Sequence, residues 1–395
     1  MRMPWSPYRW QRMYRLCWLL GLLGVLWACS SDKPKEIKPN PLPKLSKTQE
    51  RLTRLWSFHI GHGNQKQFLL LRPAVTASRV FAVSADGVLE AHERLHGKRL
   101  WRIHCPTSVS VGVEAGYGQV VVGTTDGRVI SYRIQDGHQL WSTMLGSTPM
   151  SEPLLSAALV YVSANDGTLY ALDRQTGKQR WTAETSVPRL SLRGMSKPLL
   201  LNDLLIVGTG DGRVQAFKSD SGDPVWESRV MDSQGRTELE RMNDVDADMV
   251  ADADTLYVAS YHGGLAAMDQ DTGKHRWENT ASSWQGLALG LGSVYIVYED
   301  STIEDWDASS GKSAWKQADL RGRRISAPVF LDHFLVVGDF KGWVHVLSVE
   351  DGHWLGREHF FRTGGFLAPP QASGNEVFLQ SVDGRVIALR LEAKG

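Results

Sequence analysis

The chain has 395 residues, 42% of them hydrophobic and 22% charged, with 44 Lys and Arg against 43 Asp and Glu. That apolar content is ordinary for a globular protein, and the near-neutral balance excludes the basic footprint of a nucleic-acid-binding protein. Length alone suggests two domains, but an internal repeat makes the chain one closed unit.

In chain order, residues 1–28 read as a signal peptide. Arg2, Arg9, Arg12 and Arg15 form a positive start with no acidic residue. Leu16 to Ala28 is an apolar run too short to span a bilayer comfortably as a mature helix. It ends Leu26-Trp27-Ala28-Cys29, which resembles the lipobox of bacterial lipoproteins, with Trp27 a departure in a slot that usually holds a smaller residue. That resemblance implies lipid on Cys29, which becomes residue one of the mature protein. The other reading is an ordinary cleaved signal with an incidental cysteine. Ser30, after the cysteine, favours the outer membrane over the inner. Cleavage removes four of the 44 basic residues, so the mature balance is about −3. Of the three cysteines, Cys17 leaves with the signal and Cys29 carries lipid. Cys105 then stands alone, and no intrachain disulfide forms in an oxidising compartment.

Residues 29–50 hold Pro34, Pro39, Pro41 and Pro43 among lysines, the composition of an extended tether. Residues 51–395 carry the repeat. A tryptophan falls 14 residues after a turn glycine in the pairs Gly87 and Trp101, Gly127 and Trp141, Gly167 and Trp181, Gly212 and Trp226, and Gly263 and Trp277. In a sixth, Ser301 replaces the glycine and Trp315 keeps the distance. The fullest copy runs Val160 to Ser163, Asn165-Asp166-Gly167, Thr168 to Asp173, Thr176-Gly177, then Lys178 to Trp181. The β-branched and aromatic runs are strands, and the glycine dipeptides are hairpin turns. With the apolar stretch after Met150-Ser151-Glu152-Pro153, each copy holds four short strands in ~40 residues, one propeller blade.

A seventh copy opens at Asp339-Phe340-Lys341-Gly342, with Gly356 in its tryptophan slot and Trp354 two residues earlier. An eighth opens at Asp383-Gly384, and the chain stops before its slot. Leu55-Trp56-Ser57-Phe58 is a tryptophan strand with no turn of its own. The fold expected is therefore all-β, an eight-bladed β-propeller of four-stranded blades, its ring closed by an N-terminal strand. Closure removes open sheet edges. Each indole is expected to pack between neighbouring blades.

Two motifs look chemical. His92-Glu93-Arg94-Leu95-His96 matches the zinc-peptidase pattern, but the repeat puts His92 on a strand and His96 in a turn, so the helical reason for convergence is missing. Asp244-Val245-Asp246-Ala247-Asp248 starts like a calcium loop, yet Met249 holds the glycine position and Thr255 the glutamate position. No catalytic residue, metal site or cofactor is expected. The blade repeat is similar to that of eight-bladed quinoprotein alcohol dehydrogenases, so an enzyme dependent on pyrroloquinoline quinone is the alternative. Those enzymes typically use adjacent cysteines and calcium, and no adjacent cysteines occur here.

The turn glycines step by 40, 40, 45, 51, 38, 41 and 42 residues. The two longest steps are consecutive, and extra length in a regular propeller leaves as loops that carry function. The first excess holds Val187 to Gly194; the second holds Gly235 to Arg241 and then the aspartates. From pattern alone, Leu190 and Leu192 are either an inward-facing strand pair or an apolar anchor. Asp244 and Asp246 are either solvated loop charge or contact residues. Leu190-Ser191-Leu192-Arg193-Gly194, the Thr237-Glu238 to Asp246 stretch, Leu335 to Asp339 and Val349 to Gly352 resemble the BamB family, lipoproteins of the bacterial β-barrel assembly machinery. The similarity runs from the lipobox to the last blade.

That resemblance implies a non-enzymatic scaffold, lipid-anchored to the outer membrane and facing the periplasm. It implies binding to the POTRA domains of the barrel subunit BamA and help for outer-membrane protein insertion. Carried over by motif, the BamA contacts are Leu190, Leu192, Arg193, Asp244 and Asp246. Other assembly lipoproteins are possible indirect partners. Unfolded outer-membrane proteins are further candidates, met by strand addition at a blade edge.

Overall fold

The computed structural model describes residues 37–45, 50–186, 196–231 and 244–393. Contacts divide the chain into Met1–Lys38 and Pro39–Gly395; the fold below is that of the second unit. Among the described residues, 32 strands form eight four-stranded antiparallel sheets, the expected propeller. Blade 3 shows the plan: Leu154–Leu155, Leu159–Ser163, Thr168–Asp173 and Gln179–Glu184 pair in sequence order. The closing blade joins Gln371–Ser373, Glu376–Gln380 and Arg385–Ala393 to the N-terminal strand Glu50–His59, as the stranded tryptophan required.

The strands differ because their faces differ. Second strands such as Gln119–Thr124 are buried at every residue, while fourth strands such as Gln179–Glu184 alternate between exposed and covered. Each sheet hides both faces against neighbours, which is why the second strands read as unbroken apolar runs. The core accordingly lies between blades: Phe81, Val83 and Leu89 of the first pack with Val120, Val122 and Ile130 of the second. Cys105 is buried in that seam, and burial pushes its thiol up to about 11.

The tryptophans lock the seams. The indole Nε1–H of Trp56, Trp101, Trp141, Trp181, Trp226, Trp277 and Trp315 donates to a backbone carbonyl of the next blade: Arg94, Ile134, Arg174, Ser219, Gln270, Ala308 and Val349 respectively, at 2.7–3.1 Å. Each accepting carbonyl belongs to the turn before the next blade's fourth strand. That turn's glycine lies against the same indole. A Cβ on Gly177, at φ +70°, would stand 2.6 Å from the Trp141 ring. The slot held by Gly356 faces the closing blade, whose third and fourth strands are the two chain ends. They have no turn between them, so no carbonyl or glycine awaits an indole.

Each fourth strand from blade 1 to blade 7 pairs through a bulge at the tryptophan slot, and bulges sharpen the right-handed twist. The residue opposite the indole is small: Ala91, Ser131, Ala171, Ala216, Ala267 and Ala388. Blade 6 breaks this rule with Asp305 opposite Trp315. Asp305 is 3% exposed, and burial pushes its carboxyl up to about 6. Ser301 does occupy the glycine position of the turn between that blade's second and third strands, at φ +71°. In blade 5, His262 adopts the left-handed conformation, at φ +55°.

Charged residues on or just before the first strands meet around the propeller axis. Arg72 donates through Nε to Glu152 at 2.8 Å and through Nη1 to Asp248 at 2.5 Å, joining blades 1, 3 and 5. Lys197 of blade 4 donates to Glu114 of blade 2 at 2.7 Å. Burial opposes the Arg72 charge, but Asp248 and Glu152 outweigh it and hold the guanidinium protonated. Burial raises Glu152, whereas Arg72 and Lys197 overcome burial at Asp248 and keep it low.

Three outcomes are expected. Gly177→Ala forces a left-handed alanine, costing ~1–2 kcal/mol, and overpacks the indole for a further ~1–3 kcal/mol. Gly118, at φ +80° with open space around its would-be Cβ, is the control, and its alanine variant loses only the first part in urea unfolding. Arg72→Met strands two half-buried carboxylates and costs up to ~3–5 kcal/mol, the figure for a fully buried pair; adding Glu152→Gln and Asp248→Asn recovers most of it. Asp305 is raised from ~3.9 in the unfolded chain, so its stabilising contribution is complete below that value and lost as pH rises through about 6. Asp305→Asn removes that pH slope and raises stability at pH 7 by up to ~3 kcal/mol; an unchanged slope in urea titrations at pH 4–8 contradicts the assignment.

Candidate partner-binding site

The antiparallel order puts the turns between second and third strands on the same propeller face as the connectors between blades. Both long connectors therefore open on this face, one entering blade 4 and the other blade 5. Leu190, Leu192 and Arg193 lie outside the described residues, as does Cys29. The stems of both loops are described, and they touch.

At the entrance of the first loop, Ser186 Oγ donates to Asp211 Oδ2 at 2.6 Å, and Thr209 Oγ1 donates to the other oxygen at 2.5 Å. At its exit, Ser196 Oγ accepts from Gly208 N at 3.2 Å. The exit of the second loop runs alongside: Val245 N donates to Thr209 O at 3.1 Å, and Lys197 N donates to Asp248 Oδ1 at 3.3 Å. Gly208 lets them converge. A Cβ there would fall 2.4 Å from Val245 and 2.7 Å from Ser196 Oγ. The two connectors thus rise from one shared base at the end of the strand Leu204–Gly208.

Along the second stem, exposure alternates. Asp244 is 0% exposed, and Val245, Ala247 and Met249 are buried, while Asp246 and Asp248 are half-buried. The Asp244 backbone carbonyl accepts from Tyr261 N at 2.9 Å, fixing the stem to the turn between the second and third strands of blade 5. Asp246 and Asp248 line a cavity of about 150 Å³ at the axis, with Arg72, Glu152, Lys197, Phe68 and Trp284. Phe68 meets Trp284 edge-on at 5.4 Å. The two aspartates expected to act together are therefore placed differently: Asp246 toward the axial opening, Asp244 inside the stem.

The axial charges escaped the sequence reading, although a signal was there. Arg72-Pro73, Glu152-Pro153 and Lys197-Pro198 each put a charge directly before a proline and a first strand. The motifs that looked chemical have structural surroundings. His92 is buried, stacked on Phe58 at 3.5 Å between ring centroids, with its nitrogens facing Glu90 and the Gly97 carbonyl. His96 is on the surface beside Glu93. Asp248, the third aspartate of the calcium-like run, is held by Arg72.

Known proteins resemble most of the chain. A family model described as outer membrane protein assembly factor BamB matches residues 53–149 and 85–317. The outer membrane protein assembly factor BamB of Pseudomonas aeruginosa is 36% identical over 370 residues, covering 94% of this chain and 97% of that protein. Its Yersinia pestis counterpart is 31% identical over 385 residues, covering 94% and 98%. The crystal structure of BamB from Moraxella catarrhalis superposes with a TM-score of 0.79 at 28% identity, covering 86% of this chain and all of that one. A quinohemoprotein alcohol dehydrogenase from Pseudomonas putida HK5 reaches a TM-score of 0.70 at 14% identity, a likeness of fold alone. The chain belongs to the BamB family of outer membrane protein assembly factors.

Proposed function

We propose that this chain is a non-enzymatic scaffold of the β-barrel assembly complex, anchored to the outer membrane by lipid on Cys29 and facing the periplasm. Its docking surface for the POTRA domains of BamA is the pair of connectors entering blades 4 and 5. The observation that carries this reading is the shared stem: Ser196 and Lys197 of one loop are bonded or packed against Gly208, Val245 and Asp248. Two loops on one rigid base lose less freedom on binding than two independent loops. Leu190 and Leu192 supply an apolar anchor, and Arg193 and Asp246 fix orientation at its rim. Asp244, fully buried, holds the stem rather than meeting the partner by its side chain. Co-anchoring at one membrane raises the effective concentration, so a small patch suffices.

A second reading has its own observation. Leu100, Leu140 and Val225 stand 40–44% exposed on fourth strands, whose outer edges are unpaired among the described residues. Nascent barrel strands could add there alongside scaffolding. The quinone-enzyme alternative has only the fold in its favour.

Co-purification from solubilised membranes tests the scaffold. Wild type retains the BamA-type subunit, and Leu192→Ala/Arg193→Ala/Asp246→Ala lowers its recovery at least about tenfold, a loss of ~1.4 kcal/mol, with circular dichroism unchanged. Equal recovery places the interface elsewhere on the ring. Cys29→Ser moves the protein out of the membrane fraction; unchanged fractionation contradicts lipid anchoring.

A further inference from the structure

Among its described residues, the chain joining the leader to the propeller is held at Asn40 and Leu42. Asn40 N donates to Arg321 O at 2.9 Å, and its Nδ2 donates to Ala318 O at 3.3 Å. Arg323 Nη1 donates to the Asn40 carbonyl at 3.3 Å, and Leu42 packs against the core cluster that includes Leu320 and Ile325. The floor is rigid. Arg323 is 7% exposed and grips the fully buried Asp339 through Nε and Nη2 at 2.8 and 2.6 Å. His345 Nε2–H donates to the same carboxylate at 3.2 Å.

This attachment adjoins a cationic and aromatic surface on the connector face of blade 7. The Arg323 guanidinium lies 5.6 Å over the half-buried Phe340, and the exposed Lys341 lies 5.1 Å over the same ring. His359 stacks on Trp343 at 4.5 Å and meets the Lys341 carbonyl at 3.0 Å. The connector Phe360-Phe361-Arg362 lies against this turn, with Phe360 N donating to Gly342 O at 3.0 Å. Arg362 is exposed. The neighbouring acids are occupied: Asp339 by Arg323, Asp300 by Arg321, and Asp383 by Arg385 at 3.6 Å.

We infer that this surface rests on the anionic lipid headgroups of the membrane that carries the anchor. The inference rests on the lipid-anchor reading of Cys29. Asn40 lies 11 residues after Cys29, so even fully extended, at ~3.6 Å per residue, the acylated cysteine reaches no further than about 40 Å from this attachment. Exposed cations attract an anionic leaflet within a Debye length, and aromatic rings settle at the headgroup level. The BamA-facing connectors of blades 4 and 5 occupy another sector of the same face, which leaves both surfaces usable at once.

The test uses the mature chain from Ser30 onward, exported without acylation behind a cleavable leader. It is sedimented with vesicles of phosphatidylethanolamine and phosphatidylglycerol, or of phosphatidylcholine alone. Wild type is expected to bind the anionic vesicles selectively and to release as salt rises. Lys341→Glu/Arg362→Glu, with unchanged circular dichroism, binds at least about tenfold more weakly, and Lys341→Gln/Arg362→Gln falls between. No binding by wild type, or equal binding by the charge-reversed variant, overturns the inference. Labelled palmitate incorporation into the full-length protein, against Cys29→Ser, separately decides whether the anchor reading stands.

Discussion

A four-stranded sheet of this size cannot cover its own two apolar faces, and everything else in the molecule follows from how neighbours cover them. The covering is made specific by one repeated contact, an indole that donates to the next blade's turn carbonyl while that turn's glycine lies against its ring. Hydrophobic burial alone would let adjacent sheets slide, because it has no direction. A hydrogen bond at one end of a large flat ring sets both spacing and angle. The exception supports the account: the seventh slot is Gly356, facing the closing blade where the accepting turn does not exist.

Ring closure follows from the same constraint. Trp56 sits on the first strand of the chain yet serves the last blade, pairing with Arg385–Ala393 and bonding across to Arg94 of blade 1. Arg94 also donates to Glu376 and to the Ser373 carbonyl of the closing blade. The seam is held by strand pairing, the Trp56 indole, Arg94, the Gln380 amide on the Val83 carbonyl at 2.8 Å, and apolar packing of Ile60 and Phe378 with Val80 and Ala82. Axial charges add a second level of constraint, since Arg72 ties together three blades that are not neighbours. A scaffold braced at rim and axis can carry two long connectors on blades 4 and 5 without loosening.

Much of this was legible from the residues. The fixed offset from turn glycine to tryptophan gave blade number and the closing strand, because both ends of that distance are geometric necessities. The drift in spacing located the connectors, since extra residues in a closed ring can only leave it. Side-chain placement was less legible. Asp244 and Asp246 are two residues apart and look equivalent in sequence, but one is enclosed by the stem and the other borders the axial cavity. Their difference comes from the approach to the strand Val250–Asp252, whose alternation of covered and open positions begins before the strand itself. The network of Arg72, Glu152, Lys197 and Asp248 was hidden for a different reason. Its members belong to different blades, and only closure brings them together.

The central claim is that the connectors entering blades 4 and 5 face the assembly partner. A photoreactive residue placed at Asp246, compared in cells with one at Leu291 on the opposite face, tests it most directly. Leu291 is 64% exposed in the turn between the first two strands of blade 6, so it is at least as available to a partner. The account predicts a crosslink to the BamA-type subunit from position 246 and none from 291. A crosslink from 291 with silence at 246 would contradict it and turn the propeller over.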